Sequence, residues 1–173
     1  MNIVLIGYRC SGKTSVGELL AKTLGWLFTD TDRMIEEYAG CSTESIIRDM
    51  GWGKFRSVER EIVKLISMKD RMVIATGGGI VMDRQNVENL KKNGWIIWLE
   101  AKDEILKRRM ENDSSNGNTR APILGVDSLE EINTVLGQRK PLYREMGDTS
   151  IDCSNLTIME TVDIIIEGLP EGI

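Results

Sequence analysis

The chain has 173 residues, a formal net charge of -5 and no histidine, and one self-sufficient core is expected, burying about 70% of the surface the unfolded chain would expose. The missing histidines exclude every His-based triad, His-metal site and His general base, and the acidic balance excludes the broad basic footprint of a protein devoted to nucleic acid. Cys10, Cys41 and Cys153 are odd in number and widely spaced, which argues against a disulfide framework or a Cys-rich zinc site and fits a reducing cytoplasm.

In chain order, Asn2 to Ile6 is a short, continuous apolar run that reads as a buried parallel strand. It lacks a basic leader and is far too short to span a membrane, so a soluble cytoplasmic protein is expected. The next eight residues, Gly7-Tyr8-Arg9-Cys10-Ser11-Gly12-Lys13-Thr14, fit the spacing Gly-x-x-x-x-Gly-Lys-Ser/Thr. In that pattern Gly7 and Gly12 let successive N–H groups turn toward phosphate oxygens. Cys10 and Ser11 contribute mainly backbone, Lys13 reaches the β and γ phosphates, and the Thr14 hydroxyl suits Mg2+. The helix expected from Ser15 to Leu24 adds its positive end to the same site. A glycine-rich turn would explain the composition, but the position between strand and helix is the one that nucleotide binding requires.

Trp26 to Thr29 reads as a second strand, ending in Phe28-Thr29-Asp30-Thr31-Asp32. Carboxyl ends of strands are where open α/β sheets bind ligands, which puts both aspartates near the phosphate loop. Either could equally cap the helix expected over residues 32–39. Lys54 to Met68 carries Phe55, Val58, Ile62 and Leu65 at helical spacing. On the same segment Arg56 and Glu59 are three apart, as in an ordinary surface ion pair. Met72 to Thr76 and Trp95 to Leu99 are further strands, alternating with helices over residues 83–92 and 103–110, so βαβ units are expected. Gly77, Gly78 and Gly79 follow the third strand, where glycine permits backbone to approach a ligand.

Residues 111–125 break the pattern: from Asn112 to Asn118 six of seven residues are Asn, Asp or Ser and the other is Gly, which reads as a loop or lid. Ser128-x-x-Glu131 and Thr157-x-x-Glu160 look like capping boxes, with a fifth strand from Ser150 to Cys153 between their helices. Arg139, two residues before Pro141, reads as a cation near a helix end. Two nucleotide-using classes fare poorly. No Asn/Thr-Lys-x-Asp tetrapeptide offers guanine recognition, and the strand before Ala101 ends in a single Glu100 instead of an acidic pair.

Taken together the phosphate loop, Phe28-x-Asp30-x-Asp32, Phe55-Arg56-x-x-Glu59, the glycine triplet, a polar lid with Arg120 and Pro122, and Arg139-x-Pro141-Leu142-Tyr143 resemble the shikimate kinase family over nearly the whole chain. The resemblance implies an α/β fold, a three-layer α/β/α P-loop kinase with a five-stranded parallel sheet, as one domain over residues 1–173 with a lid at 111–126. It implies transfer of the γ-phosphate of ATP to the 3-hydroxyl of shikimate. Lys13, Asp32 and Arg120 would be catalytic, with Asp32 also holding substrate hydroxyls. ATP would lie on Gly7, Cys10, Ser11, Gly12, Lys13, Thr14 and Ser15, with Arg120 over the phosphates and Arg109 against adenine. Arg56 and Arg139, with Gly77, Gly78 and Gly79, would hold the substrate, and Glu59 would orient Arg56. Mg2+ would sit on Thr14, with Asp30 reaching it through water.

One departure stands out: family members commonly place the lid Arg directly before Pro, whereas Ala121 intervenes here. A gluconate-type kinase is the second reading, since paired arginines suit any carboxylated acceptor, and a nucleotide-dependent switch without an acceptor is the third. A monomer without nucleic-acid or membrane partners is expected, as no heptad pattern offers an interface.

Overall fold

The structure is a computed structural model that describes residues 1–115 and 129–171. Its five strands, β1 (Asn2–Ile6), β2 (Leu27–Asp30), β3 (Met72–Ala75), β4 (Gly94–Glu100) and β5 (Thr149–Asp152), form one parallel sheet in the order β2-β3-β1-β4-β5. β1 lies at its centre, pairing Ile3 with Val73 on one side and with Trp95 on the other. Successive side chains of a strand point to opposite faces, and β1 shows why both faces are apolar. Val4 and Ile6 pack with Val63, Ile66, Leu90 and Tyr143 on one side, while Ile3 and Leu5 pack with Val16, Leu20, Val162 and Ile165 on the other.

These contacts make three layers. Helices α1 (Lys13–Leu24) and α7 (Ile158–Glu167) cover one face. Helices α3 (Thr43–Ser67), α4 (Arg84–Lys91) and α6 (Leu129–Met146) cover the other. α2 (Thr31–Ala39) packs on α3, and α5 (Asp103–Ser115) packs on α6. The α/β class and the five-stranded sheet agree with the sequence expectation, with strand ends moved by a residue or two. The Thr157 capping box is present, the Thr157 hydroxyl accepting from Glu160 N–H while the Glu160 carboxylate accepts from Thr157 N–H. Ser128, the cap expected for α6, lies outside the described residues.

Several boundaries differ for physical reasons. α3 begins at Thr43, where the Ser42 side chain accepts from Ser45 N–H, and is interrupted at Gly51, whose φ of 79° and ψ of 166° leave the helix. The glycines on either side of Trp52 hide this first half from a periodicity search. Leu65 is 51% exposed and Ile66 takes the core position instead, because the buried stripe Val58, Ile62, Val63, Ile66 drifts around the helix as 3.6-residue turns accumulate. Arg139 is not at a helix end: α6 continues past Pro141 to Met146. The polar stretch also starts later than expected, since α5 holds its helix through Ser115. No helix among the described residues is long and apolar enough to cross a membrane.

Candidate active site

The phosphate loop, Asp30 to Asp32, Arg56 with Glu59, the glycine triplet and Arg139 meet at the carboxyl end of the sheet. Gly7 has a φ of 141°, and a Cβ there would collide with the Leu99 carbonyl oxygen of the neighbouring strand, so only glycine lets the chain leave β1 on this path. Gly12, at φ 101°, is the N-cap of α1 and has no side chain to satisfy the first-turn N–H groups. Those donors and the helix dipole suit an anion. Lys13 is buried, and its Nζ donates to the carbonyls of Gly7 at 2.9 Å and Tyr8 at 2.7 Å. The ammonium is thereby held inside the loop's curve.

Beside the loop, Thr14 Oγ1 donates to Asp30 Oδ2 at 2.8 Å, while Asp30 Oδ1 accepts from Asp32 N–H at 3.0 Å. Asp30 is both the cap of α2 and a partner of the phosphate loop, so the two alternatives read from sequence hold together. β2 ends at Asp30, and Asp32 reaches the site from the first turn of α2.

The glycine triplet orders the acceptor side. A Cβ on Gly77 would lie 2.6 Å from Asp32 Oδ1, and one on Gly79 would collide with Arg56 Nη2. Between them the Gly78 carbonyl accepts from Arg139 Nη1 at 3.2 Å and from the Tyr143 hydroxyl. Asp32, Arg139 and Arg56 thus succeed one another along three glycines, with Asp32 and Arg56 filling space that a side chain on Gly77 or Gly79 would take. The Thr31 hydroxyl accepts from Gly77 N–H at 2.8 Å and fixes the triplet against α2. These side chains, with Arg9, Trp52 and Phe55, line a cavity of about 120 Å³.

Arg56 and Glu59 are more than a surface pair. Arg56 Nη1 donates to both Glu59 oxygens at 2.7 Å, and Asn86 Nδ2 donates to Oε2 at 3.1 Å. Glu59 is 1% exposed. Its burial pushes its pKa above the ordinary glutamate value against the opposing pull of Arg56. The Arg56 guanidinium carbon also lies 5.5 Å from the Trp52 ring and 5.1 Å from the Phe55 ring, so its fork is held on two sides. Burial raises the Tyr143 pKa far above its ordinary value, with Arg139 opposing, and its hydroxyl stays a donor to Gly78.

On the far side of the phosphate loop a larger cleft of about 540 Å³ is lined by Cys10, Ser11, Gly12, Ser15, Arg109 and the β5–α7 connection. Arg109 donates from Nη1 to the Cys10 carbonyl at 3.4 Å and from Nη2 to the Cys153 carbonyl at 2.9 Å, tying the loop to the end of β5. The space suits a nucleotide base. Arg120 and the lid beyond Ser115 lie outside the described residues.

A family model described as shikimate kinase matches residues 9–170. The chain belongs to the shikimate kinase family. A shikimate kinase of Syntrophus aciditrophicus is 42% identical over 173 residues, covering 95% of this chain and 89% of the relative. One of Thermodesulfovibrio yellowstonii is 43% identical over 167 residues, covering 96% and 93%. A solved shikimate kinase from Acinetobacter baumannii in complex with shikimate superposes with a TM-score of 0.87 at 29% identity, covering 96% of this chain and 90% of that one. The family is one of ATP-dependent kinases acting on a hydroxyl of shikimate, and this chain is such an enzyme.

Sequence reasoning missed Arg9, Trp52 and Asn86, and named Tyr143 in a motif without giving it a role. Tyr143 had a readable signal, four residues after Arg139 on one helix face. Asn86 had none: a polar residue on a short helix is ordinary until a buried carboxylate is found beside it.

Proposed function

We propose that the chain transfers the γ-phosphate of ATP in line to the 3-hydroxyl of shikimate, with the roles divided between the two cavities. The observation that carries this is the row Asp32, Arg139, Arg56 along Gly77 to Gly79, set directly beside a loop built for phosphate. Two guanidiniums suit a carboxylate, which accepts paired N–H bonds. Asp32 at the other end of the row holds the acceptor hydroxyl and accepts its proton as the new P–O bond forms. Glu59 and Asn86 keep Arg56 aimed. Lys13 leaves the Gly7 and Tyr8 carbonyls for the β and γ phosphates when nucleotide enters, which costs little because one set of oxygens replaces another. ATP lies on Gly7, Cys10 to Ser15 and Arg109, with its base in the larger cleft. Arg120 closes over the transferring group, where exclusion of water suppresses hydrolysis.

The Thr14 hydroxyl and Asp30 carboxylate are hard oxygen donors adjacent to the loop, a set that fits Mg2+. Thr14 would bind the ion directly and Asp30 through water. Bound there, Mg2+ neutralises charge on the phosphates. The cytoplasm is the proposed setting, where ATP is at hand and Cys10, Cys41 and Cys153, none of them in a disulfide, stay reduced.

Coupled ADP release from MgATP tests the reading, with shikimate, gluconate or no acceptor added. Stimulation by shikimate alone supports it. Equal stimulation by gluconate, or acceptor-independent hydrolysis, would overturn the acceptor assignment.

A further inference from the structure

Three guanidiniums among the described residues line the acceptor cavity, and the carboxylate of the acceptor accounts for two of them. The third belongs to Arg9, which comes from the phosphate loop itself, unlike Arg56 on α3 and Arg139 on α6. Positions between the glycines of such a loop ordinarily lend only backbone, so a long cation there calls for a reason. Arg9 is 9% exposed. Its guanidinium carbon lies 5.8 Å from the centre of the Tyr8 ring, and a Cβ on Gly78 would be 3.4 Å from its backbone nitrogen. Gly7 and Tyr8, the two residues before it, are those whose carbonyls hold Lys13 Nζ. Arg9 thus belongs to the phosphate loop by its backbone and lines the acceptor cavity.

Charge shows what it does there. Among the described residues lining the cavity, Arg9, Arg56 and Arg139 accompany Asp32 and Glu59, a net formal charge of +1. Without Arg9 the balance would be zero: Arg56 and Arg139 would serve the carboxylate, and no other cation of the described lining would meet the phosphate that arrives during the reaction.

Resting on the kinase reading above, we propose that Arg9 is a catalytic residue whose guanidinium binds the phosphoryl group in flight and then the phosphate of the newly made ester. The P–O bond to ADP breaks as the bond to the acceptor oxygen forms. The acceptor proton passes to Asp32, and Arg9 meets the charge that has moved from the nucleotide side to the acceptor side.

The test compares Arg9→Met and Arg9→Lys with the parent chain. It measures kcat, the Kd of MgATP, and the Kd values of shikimate and of its 3-phosphate ester by calorimetry. For Arg9→Met the expected outcome is a kcat roughly 100-fold lower and ester affinity down at least about tenfold. Shikimate and MgATP affinities should stay within about twofold, a factor worth only a few tenths of a kcal/mol. Arg9→Lys should recover part of both losses because the charge is kept. Equal loss of shikimate and ester affinity would make Arg9 a carboxylate ligand and overturn the proposal, as would an unchanged kcat. Loss of MgATP binding with lowered Tm in both variants would assign it to loop structure and overturn it too. A parent without shikimate-dependent ADP release would overturn the acceptor assignment, and this role with it.

Discussion

The two ends of the site are built in opposite ways. The proposed nucleotide end is built mainly on one contiguous segment, Gly7 to Ser15, through backbone groups and the start of α1, with Arg109 and the β5–α7 connection lining the cleft beside it. The acceptor end gathers side chains from the loop after β1, from α2, α3 and α6, and from the glycines after β3. A contiguous backbone site depends on local conformation, and its glycines are fixed by φ. An assembled side-chain site depends on packing, and its glycines are fixed by the space that neighbouring side chains occupy. The contrast makes substitutions at the two ends fail in different ways.

The largest effect is expected at the nucleotide end. Lys13→Met should lower kcat on the order of 1000-fold, by analogy with loss of a strong electrostatic contact in the transition state, while shikimate affinity stays near the parent value. Calorimetry with shikimate beside steady-state kinetics checks both. An equal loss of shikimate binding would show that the two ends are not separable.

Gly79→Ala should come next and act only at the acceptor end. Its φ of -100° is open to alanine, so the chain folds, but the new Cβ displaces Arg56 Nη2. The KM for shikimate should rise about tenfold, the loss of one charged hydrogen bond, with the KM for ATP unchanged. A rise in both would point to backbone distortion.

The smallest effect concerns Glu59. Because burial raises its pKa, the folded chain holds a proton that the unfolded chain has released once pH passes the ordinary glutamate value. The stability this group contributes is complete below that value and is lost as pH rises through the raised one. Glu59→Gln should remove that dependence, so the Tm of the parent relative to the variant should fall with rising pH across this window. A constant difference would mean that Arg56 and Asn86 keep Glu59 at its ordinary value. The KM for shikimate should also rise in this variant, since a neutral amide holds Arg56 less firmly.

The geometry of the phosphate loop was legible in the sequence, because strand, glycine spacing and helix start form a local pattern. At the acceptor end the residue types were legible and their arrangement was not. Arg56 and Glu59, three apart, read as an exposed pair on one helix, and only the packing of α4 against α3 shows a buried carboxylate with Asn86 on its other side. Arg139 read as a helix-end cation because Pro141 suggests a stop. α6 passes through it, and Arg139 sits in mid-helix facing Gly78. The kink at Gly51 escaped for a related reason: glycines flanking Trp52 erase the periodicity that marks a helix, yet tertiary packing of α3 on α2 holds both halves.

By itself the sequence determined the alternation of strands and helices, the phosphate loop and the kit of carboxylates, guanidiniums and glycines. Hydrophobic period, glycine spacing and capping are properties of neighbouring residues, and a reader of the chain has all of them. Only the tertiary structure decided that Asp32, Arg139 and Arg56 line up along Gly77 to Gly79 and that Arg9, from the phosphate loop, lines the acceptor cavity. It alone decided that Glu59 is buried. Those facts depend on which helices the sheet brings together at its carboxyl end, and that placement is set by apolar packing on two faces of β1, far along the chain from the groups it positions.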